Sequence, residues 1–431
     1  MSFFGILDSL SGFLWGYVNF YLILAVGIYF TITSKFLQFR TFVSPRKTFS
    51  ALINTTKKER KKGIVPLKLY FTSMGGSIGI GNIGGVVTAV TVGGPGGLFW
   101  MWVAVFVGML VKYAEIFLGI KYRSSNGQGG YDGGATYYLA KAFRSKTIPI
   151  LFGILVCIYG TEIYQFKVVE DVLVTTCHLN RVVSMVLLLG GTLYVTLGGV
   201  NRLADVCSVL MPFFFIVYTA MCVTAIVQSG TALIPLLGTV VRSAFTGHAA
   251  VGGFLGSSFV MAAQQGLSNA VYSGDIGMGY DSVIQAETQL KDPKIQAKTA
   301  VFSLLTDSLI CTLTVLLVLC SGQWCCGAQH GFDCVVAALA PSIPHIRELM
   351  ALLFFLAGWT TVLGFMSVGL KTAKSLSPRG TTIYFTYALS SFVIFSFVDQ
   401  NHARLVMYVA GALLMLINVI GIIKLRREIE F

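Results

Sequence analysis

Charge is what this sequence is short of. Only 11% of its 431 residues are Asp, Glu, Lys or Arg, against 55% hydrophobic and 13% aromatic, and the mean hydropathy is +0.77. A soluble domain of ordinary make-up carries about 25% charged residues. Losing more than half of them leaves too little polar surface to keep a globule in water, which excludes a cytosolic enzyme, a disordered chain and a small disulfide-held domain. Catalytic signatures are missing too. There is no HExxH and no convergent His/Asp/Cys set in any apolar segment, which argues against an integral-membrane enzyme. His178, His248, His330, His345 and His402 all sit in or beside loops. Neither rings of charge nor a repeated filter motif appears, as a passive channel would require. No paired CxxC occurs among the nine cysteines. Cys157, Cys177, Cys207, Cys222 and Cys311 fall in or near apolar runs, where they pack as small apolar residues. Cys320, Cys325, Cys326 and Cys334 share one loop, where a disulfide or free thiols are expected rather than a metal site, even with His330 among them.

What is present is a series of long apolar runs, the mark of a helical membrane protein. Eleven spans are expected, at 11–34, 70–92, 97–120, 147–173, 182–200, 203–228, 248–270, 299–320, 348–370, 380–398 and 402–423. The net charge of +13 is not a nucleic-acid footprint, because the basic residues lie in the short segments between spans. Taking alternate loops as one side of the membrane, starting with 35–69, puts 25 basic residues on that side and 4 on the other. This asymmetry predicts a cytoplasmic C-terminus and an N-terminus outside. The KKERKK run at 57–62 serves the same purpose, with contact to anionic headgroups as the sharper alternative. The first span is long, lacks a basic leader and precedes a basic segment, so it reads as a membrane helix rather than a cleaved signal.

One stretch breaks the grammar of a spanning helix: Met74-Gly75-Gly76-Ser77-Ile78-Gly79-Ile80-Gly81-Asn82-Ile83-Gly84-Gly85. Its formal GxGxxG lacks the preceding strand that nucleotide binding needs. Its two GxxxG pairs suit helix packing, yet so many glycines, each costing up to about 1 kcal/mol of helix propensity, predict a helix interrupted near mid-membrane. In lipid such a break is tolerated only where it is buried in protein or lines a cavity. In secondary transporters it holds the solute and the driving cation. Asn82, at the break, both donates and accepts hydrogen bonds. A second break signal lies at Gly252-Gly253-Phe254-Leu255-Gly256. Two five-helix units, 70–228 and 248–431, each opening with a broken helix and preceded by an extra helix and basic loop at 1–69, would form an inverted repeat.

Residues 77–123 (SIGIGNIGGVVTAVTVGGPGGLFWMWVAVFVGMLVKYAEIFLGIKYR) closely resemble the signature of the alanine or glycine:cation symporter family. Gly133-Gly134-Ala135-Thr136-Tyr137-Tyr138 resembles its GGPxYY, Val271-Tyr272-Ser273-Gly274-Asp275-Ile276-Gly277-Met278-Gly279 its FSNEAGLG segment, and Thr360-Thr361-Val362-Leu363-Gly364-Phe365 its TTILGW. The resemblance runs from about residue 65 to 427. It implies an all-α membrane protein of the leucine-transporter type, a 5+5 inverted repeat with one extra N-terminal helix. The implied activity is sodium-coupled uptake of alanine or glycine across a bacterial inner membrane, with no bound cofactor. By resemblance the solute meets Gly81, Asn82, Gln165 and Phe365, and sodium meets the carbonyls of Gly79 and Ile80 and the hydroxyls of Thr360 and Thr361. Departures stand beside the matches. Phe365 replaces a Trp, Ser367-Val368-Gly369-Leu370 a YYGE-like run, Gly274-Asp275-Ile276 an Asn-Glu-Ala, and Lys167 an Asn.

Charges inside spans are functional suspects. Lys112 and Glu115, three apart, are expected to pair. Lys167 is expected to pair with Glu170 or Asp171; the sharper alternative aims its ammonium at the cation site, coupling transport to protons and, with Phe365, to a larger apolar amino acid. Asp307 has no evident role in the sequence.

Overall fold

A computed structural model describes residues 3–54, 62–127, 129–246, 259–325 and 331–431. Helix α1 (Phe3–Thr33) is followed by the short α2 (Leu37–Val43) and α3 (Pro45–Asn54). α4 (Pro66–Ser77) and α5 (Gly84–Gly93) are joined by a short irregular segment, and α6 (Gly96–Lys121) follows. A two-residue hairpin, β1 (Ser124–Ser125) with β2 (Tyr131–Asp132), leads to α7 (Ala135–Phe143). The next helical path is also divided, into α8 (Thr147–Tyr159) and α9 (Ile163–Cys177). α10 (Arg181–Leu197), α11 (Gly199–Gln228) and α12 (Leu233–Phe245) follow. α13 (Phe259–Ser273) and α14 (Tyr280–Gln285) are again halves of one path, and α15 (Pro293–Ala297) introduces α16 (Thr299–Ser321). The chain ends with α17 (Gly331–Leu339), α18 (Ile346–Leu376), α19 (Gly380–Ser396) and α20 (Gln400–Lys424). Among the described residues, seven helical stretches are long and apolar enough to cross a membrane, and shorter apolar helices accompany them.

Burial sorts the helices into centre and rim. α6 is 89% buried over its apolar window, α11 only 33%. The outward residues of α11 include Val209, Ile216 and Val227, each about two-thirds exposed, an arrangement that suits lipid rather than water. α1 packs its inner side on α6, α20 and α13. Its turn at Leu14–Asn19 is π-helical, and widening the coil frees polar groups for neighbours. Trp15 Nε1 donates to Tyr408 O (2.9 Å), Asn19 Nδ2 to Ala412 O (3.1 Å), and Gln264 Nε2 to Gly16 O (2.8 Å).

The interior charges pair differently from helical spacing. Lys112 does not reach Glu115; its ammonium bonds Asp281 Oδ2 (2.8 Å) and Gly274 O (2.8 Å), and the Lys112 and Asp281 side chains are fully buried. Glu115 instead accepts from Ser282 N (3.2 Å) and Asn418 Nδ2 (3.2 Å). The reason is α14. Its first turn presents amides without helical partners, which draw Glu115, while Asp281 in the same turn draws the ammonium. The break expected at Gly252–Gly256 lies outside the described residues, and the divided path here runs through 274–279.

Lys112→Met strands Asp281 in the core. It is expected to cost about 3–5 kcal/mol, as a buried charge losing its partner does, while Lys112→Met with Asp281→Leu costs distinctly less. Thermal melting of the purified protein reads both; equal midpoints for the single variant and the wild type would refute the pairing.

Candidate functional site

The first divided path loses its helical bonding after Ser77. Ile78 (ψ 96°) and Gly79 (φ −126°, ψ −159°) are extended, and one 3₁₀ turn, Ile80–Asn82, precedes α5. Side chains take up the peptide groups this releases. Gly79 N donates to Asn82 Oδ1 (2.9 Å), and Ile80 N donates to Gln165 Oε1 (3.0 Å) from α9. Thr361 Oγ1, on α18, lies 3.0 Å from Ala357 O, 3.2 Å from Gly75 O and 3.5 Å from Ile78 O. Asn82, fully buried, also donates through Nδ2 to Asp307 Oδ1 and to Cys311 Sγ (3.2 Å). This gives Asp307 its role: it fixes the amide that closes the break.

Two further breaks face the first. Between α8 and α9, Glu162 holds a left-handed backbone (φ 47°), and between α13 and α14 Asp275 does the same (φ 49°). A non-glycine residue there costs roughly 1–2 kcal/mol, and such strain gathers at ligand clamps. A small cavity of about 10 Å³ lies where the three breaks meet α18, room for about one water. Gly81 and Asn82 line it from the first break, Tyr159, Glu162 and Gln165 from the second, and Tyr272, Ser273 and Asp275 from the third. Thr361 and Phe365 complete it from α18. Phe365 packs edge-on to Tyr159 (5.1 Å between centroids) and against Tyr280 (4.5 Å). Tyr280 is a wedge: its hydroxyl donates to Thr72 O (3.0 Å), and a Cβ at Gly76 or Gly364 would fall 2.2 Å or 2.5 Å from its atoms.

The structure therefore gathers Gly81, Asn82, Gln165, Thr361 and Phe365 around one space, with the peptide units of Gly79 and Ile80 at its edge. The carbonyls that approach the Thr361 hydroxyl from the first divided path belong to Gly75 and Ile78. Thr360 points elsewhere, to Leu356 O (2.8 Å), Ala357 O (3.0 Å) and Met211 Sδ (3.4 Å). Lys167 and Asp171 are not part of the lining. The Lys167 ammonium bonds Asp171 Oδ1 (3.0 Å) and Ser396 O (2.7 Å), and Arg181 shares the same carboxylate. Asp275, Tyr159 and Tyr272 line the cavity without having been singled out as site residues in the sequence, and Glu162, one of the charges inside the span of Gln165, lines it as well. The glycines around Asp275, at 274, 277 and 279, were the available signal.

A family model, the sodium:alanine symporter family, matches residues 2–430. The chain belongs to that family. Relatives in the sodium:alanine symporter family include a Bacillus subtilis protein named amino-acid carrier protein AlsT, 30% identical, covering 74% of this chain and 67% of its own. A Methanococcus maripaludis protein named sodium/alanine symporter AgcS is 28% identical over 89% of this chain and 86% of its own. Among solved structures, a point mutant of an Eremococcus coleocola manganese transporter shares the fold, with TM-score 0.53 and 12% identity over 81% of this chain and 75% of its own. The chain is thus a multi-pass membrane transporter and not an enzyme.

Gly79→Ala would place a methyl 2.8 Å from Gln165 Nε2 and from Thr361 Oγ1. Displacing Gln165 leaves the Ile80 amide buried without a partner, worth about 1–3 kcal/mol. Transport by this variant is expected to fall about tenfold or more. Gly97→Ala is the control, since its new Cβ meets nothing closer than 3.8 Å; equal losses in both variants would deny the break its part in the site.

Proposed function

We propose that the protein is a secondary active symporter that couples sodium entry to uptake of a small neutral amino acid, alanine or glycine, by alternating access. The observation that carries this reading is the oxygen cluster at the first break. Three carbonyl oxygens, of Gly75, Ala357 and Ile78, lie within 3.5 Å of the Thr361 hydroxyl, which has a single proton to offer. Neutral oxygens in excess of donors suit a hard cation, and a helix break with freed carbonyls beside a mid-membrane cavity is the arrangement transporters use for solute and ion. The names of the relatives point the same way.

The same reading places the two repeats at 70–228 and 248–431, within eleven crossings, each repeat with a divided helix at its start. Basic loops put the C-terminus in the cytoplasm and the N-terminus outside, in a bacterial inner membrane. In this scheme Asn82 and Gln165 act first on the backbone, setting the shape of the break, while Gly81 and Phe365 offer the solute a small apolar wall. Proton coupling through Lys167 finds no support in the geometry, since its ammonium is held by Asp171 and Ser396 O.

In proteoliposomes, an inward sodium gradient is expected to drive uptake of labelled alanine; equal uptake in choline or potassium under a pH gradient would overturn sodium coupling. Thr361→Val should raise the sodium concentration for half-maximal uptake about tenfold, the loss of one good oxygen contact, whereas Lys167→Asn should leave the ion requirement unchanged. A switch of Lys167→Asn to a different ion dependence would restore the proton reading.

A further inference from the structure

Most polar atoms around the cavity are already spoken for. The Asn82 side chain is committed to Gly79 N and Asp307, Gln165 Oε1 to Ile80 N, and Ser77 Oγ to Ser73 O. Four lining side chains keep an unpartnered atom: the hydroxyls of Tyr272 and Ser273, and the carboxylates of Glu162 and Asp275. One oxygen of each carboxylate, Glu162 Oε2 and Asp275 Oδ2, is buried and makes no hydrogen bond, although the Glu162 carboxyl group also receives one from the Tyr159 hydroxyl. The residues are 1% and 2% exposed, and both line the cavity. No Lys, Arg or His is among the lining residues. The Lys112 ammonium lies in the field of Asp275 but spends its contacts on Asp281 and Gly274 O. Desolvated carboxylate oxygens without donors are unfavourable unless a positive partner arrives. Both residues are, moreover, held in left-handed backbone. Aspartate tolerates that region; glutamate does so poorly. The fold thus accepts strain in order to set a carboxylate at each break, facing one space.

Resting on the amino-acid reading above, we propose that Glu162 and Asp275 form the ammonium-binding end of the cavity, so that the solute is selected by its primary amino group rather than by its carboxylate. A primary ammonium has three N–H donors, enough to serve both free oxygens with charge-assisted hydrogen bonds. A solute that offers only a carboxylate meets two like charges. A hydroxy-acid analogue of alanine leaves both carboxylates unpaired, and a site built on buried hydrogen bonds discriminates strongly against such an analogue.

The test uses the purified full chain with sodium present, labelled alanine as the reporter, and two competitors: ethylamine, which has the ammonium without the carboxylate, and propionate, which has the reverse. Ethylamine is expected to displace alanine and propionate to fail at a hundredfold higher concentration. Glu162→Gln and Asp275→Asn should each weaken alanine and ethylamine about tenfold or more, the scale of a hydrogen bond to a charged group, while the melting midpoint without ligand stays at or above that of the wild type. Propionate competing as well as ethylamine, or both variants binding alanine with wild-type affinity, would overturn the proposal. A wild-type chain that binds no alanine would instead refute the amino-acid reading. In that case heat stabilisation by ethylamine alone, present in the wild type and lost in Glu162→Gln, upholds the ammonium site, and its absence in the wild type sinks it.

Discussion

Inside hydrocarbon, a peptide group that leaves its helix has no water to turn to and must be met by the protein. The three chain breaks at the centre of this molecule are built around that obligation. At the first, a side-chain amide from within the break and another from α9 take the amides of Gly79 and Ile80, while a hydroxyl from α18 stands among the carbonyls. Each partner comes from a different element, so the break both requires and enforces the meeting of α4, α9 and α18. The cavity follows from this convergence, because groups that face inward to satisfy backbone also enclose the space they face.

Charge is distributed with a change of sign from outside to inside. The chain as a whole carries +13, and that excess sits in the segments between the apolar runs. In the interior the balance is reversed: among the described residues, Glu115, Glu162, Glu170, Asp275, Asp281 and Asp307 are buried against two buried lysines, Lys112 and Lys167. Negative residues at the centre line or flank the cavity where the three breaks meet.

The sequence showed the first break through sheer glycine density, because glycine's helix cost is local and needs no knowledge of the fold. It showed Gln165, Thr361 and Phe365 only through likeness to a family. What it hid depended on tertiary contact. Spacing along α6 suggested that Lys112 pairs with Glu115, and the start of α14, distant in sequence, captured both partners separately. Glu162 read as one more residue in a continuous span, since nothing in local composition announced that α8 and α9 part company at Gly160. The glycines at 274, 277 and 279 did carry such a signal, but the denser run at 252–256 outweighed it. Thr360 and Thr361 are adjacent and alike; the helical rotation between neighbours alone sends one hydroxyl to the break and the other toward α11.

The wedge made by Tyr280 has a mechanical consequence. Its ring occupies notches left by Gly76 on α4 and Gly364 on α18, and its hydroxyl is moored to Thr72 O. For a carrier of the proposed kind, tilting one group of helices past the other means extracting that phenol from both notches together. A side chain at either glycine would collide with the ring, so the contact holds both positions to glycine. One ring thus ties α4, α14 and α18 together, so any relative movement of these helices has to act on it.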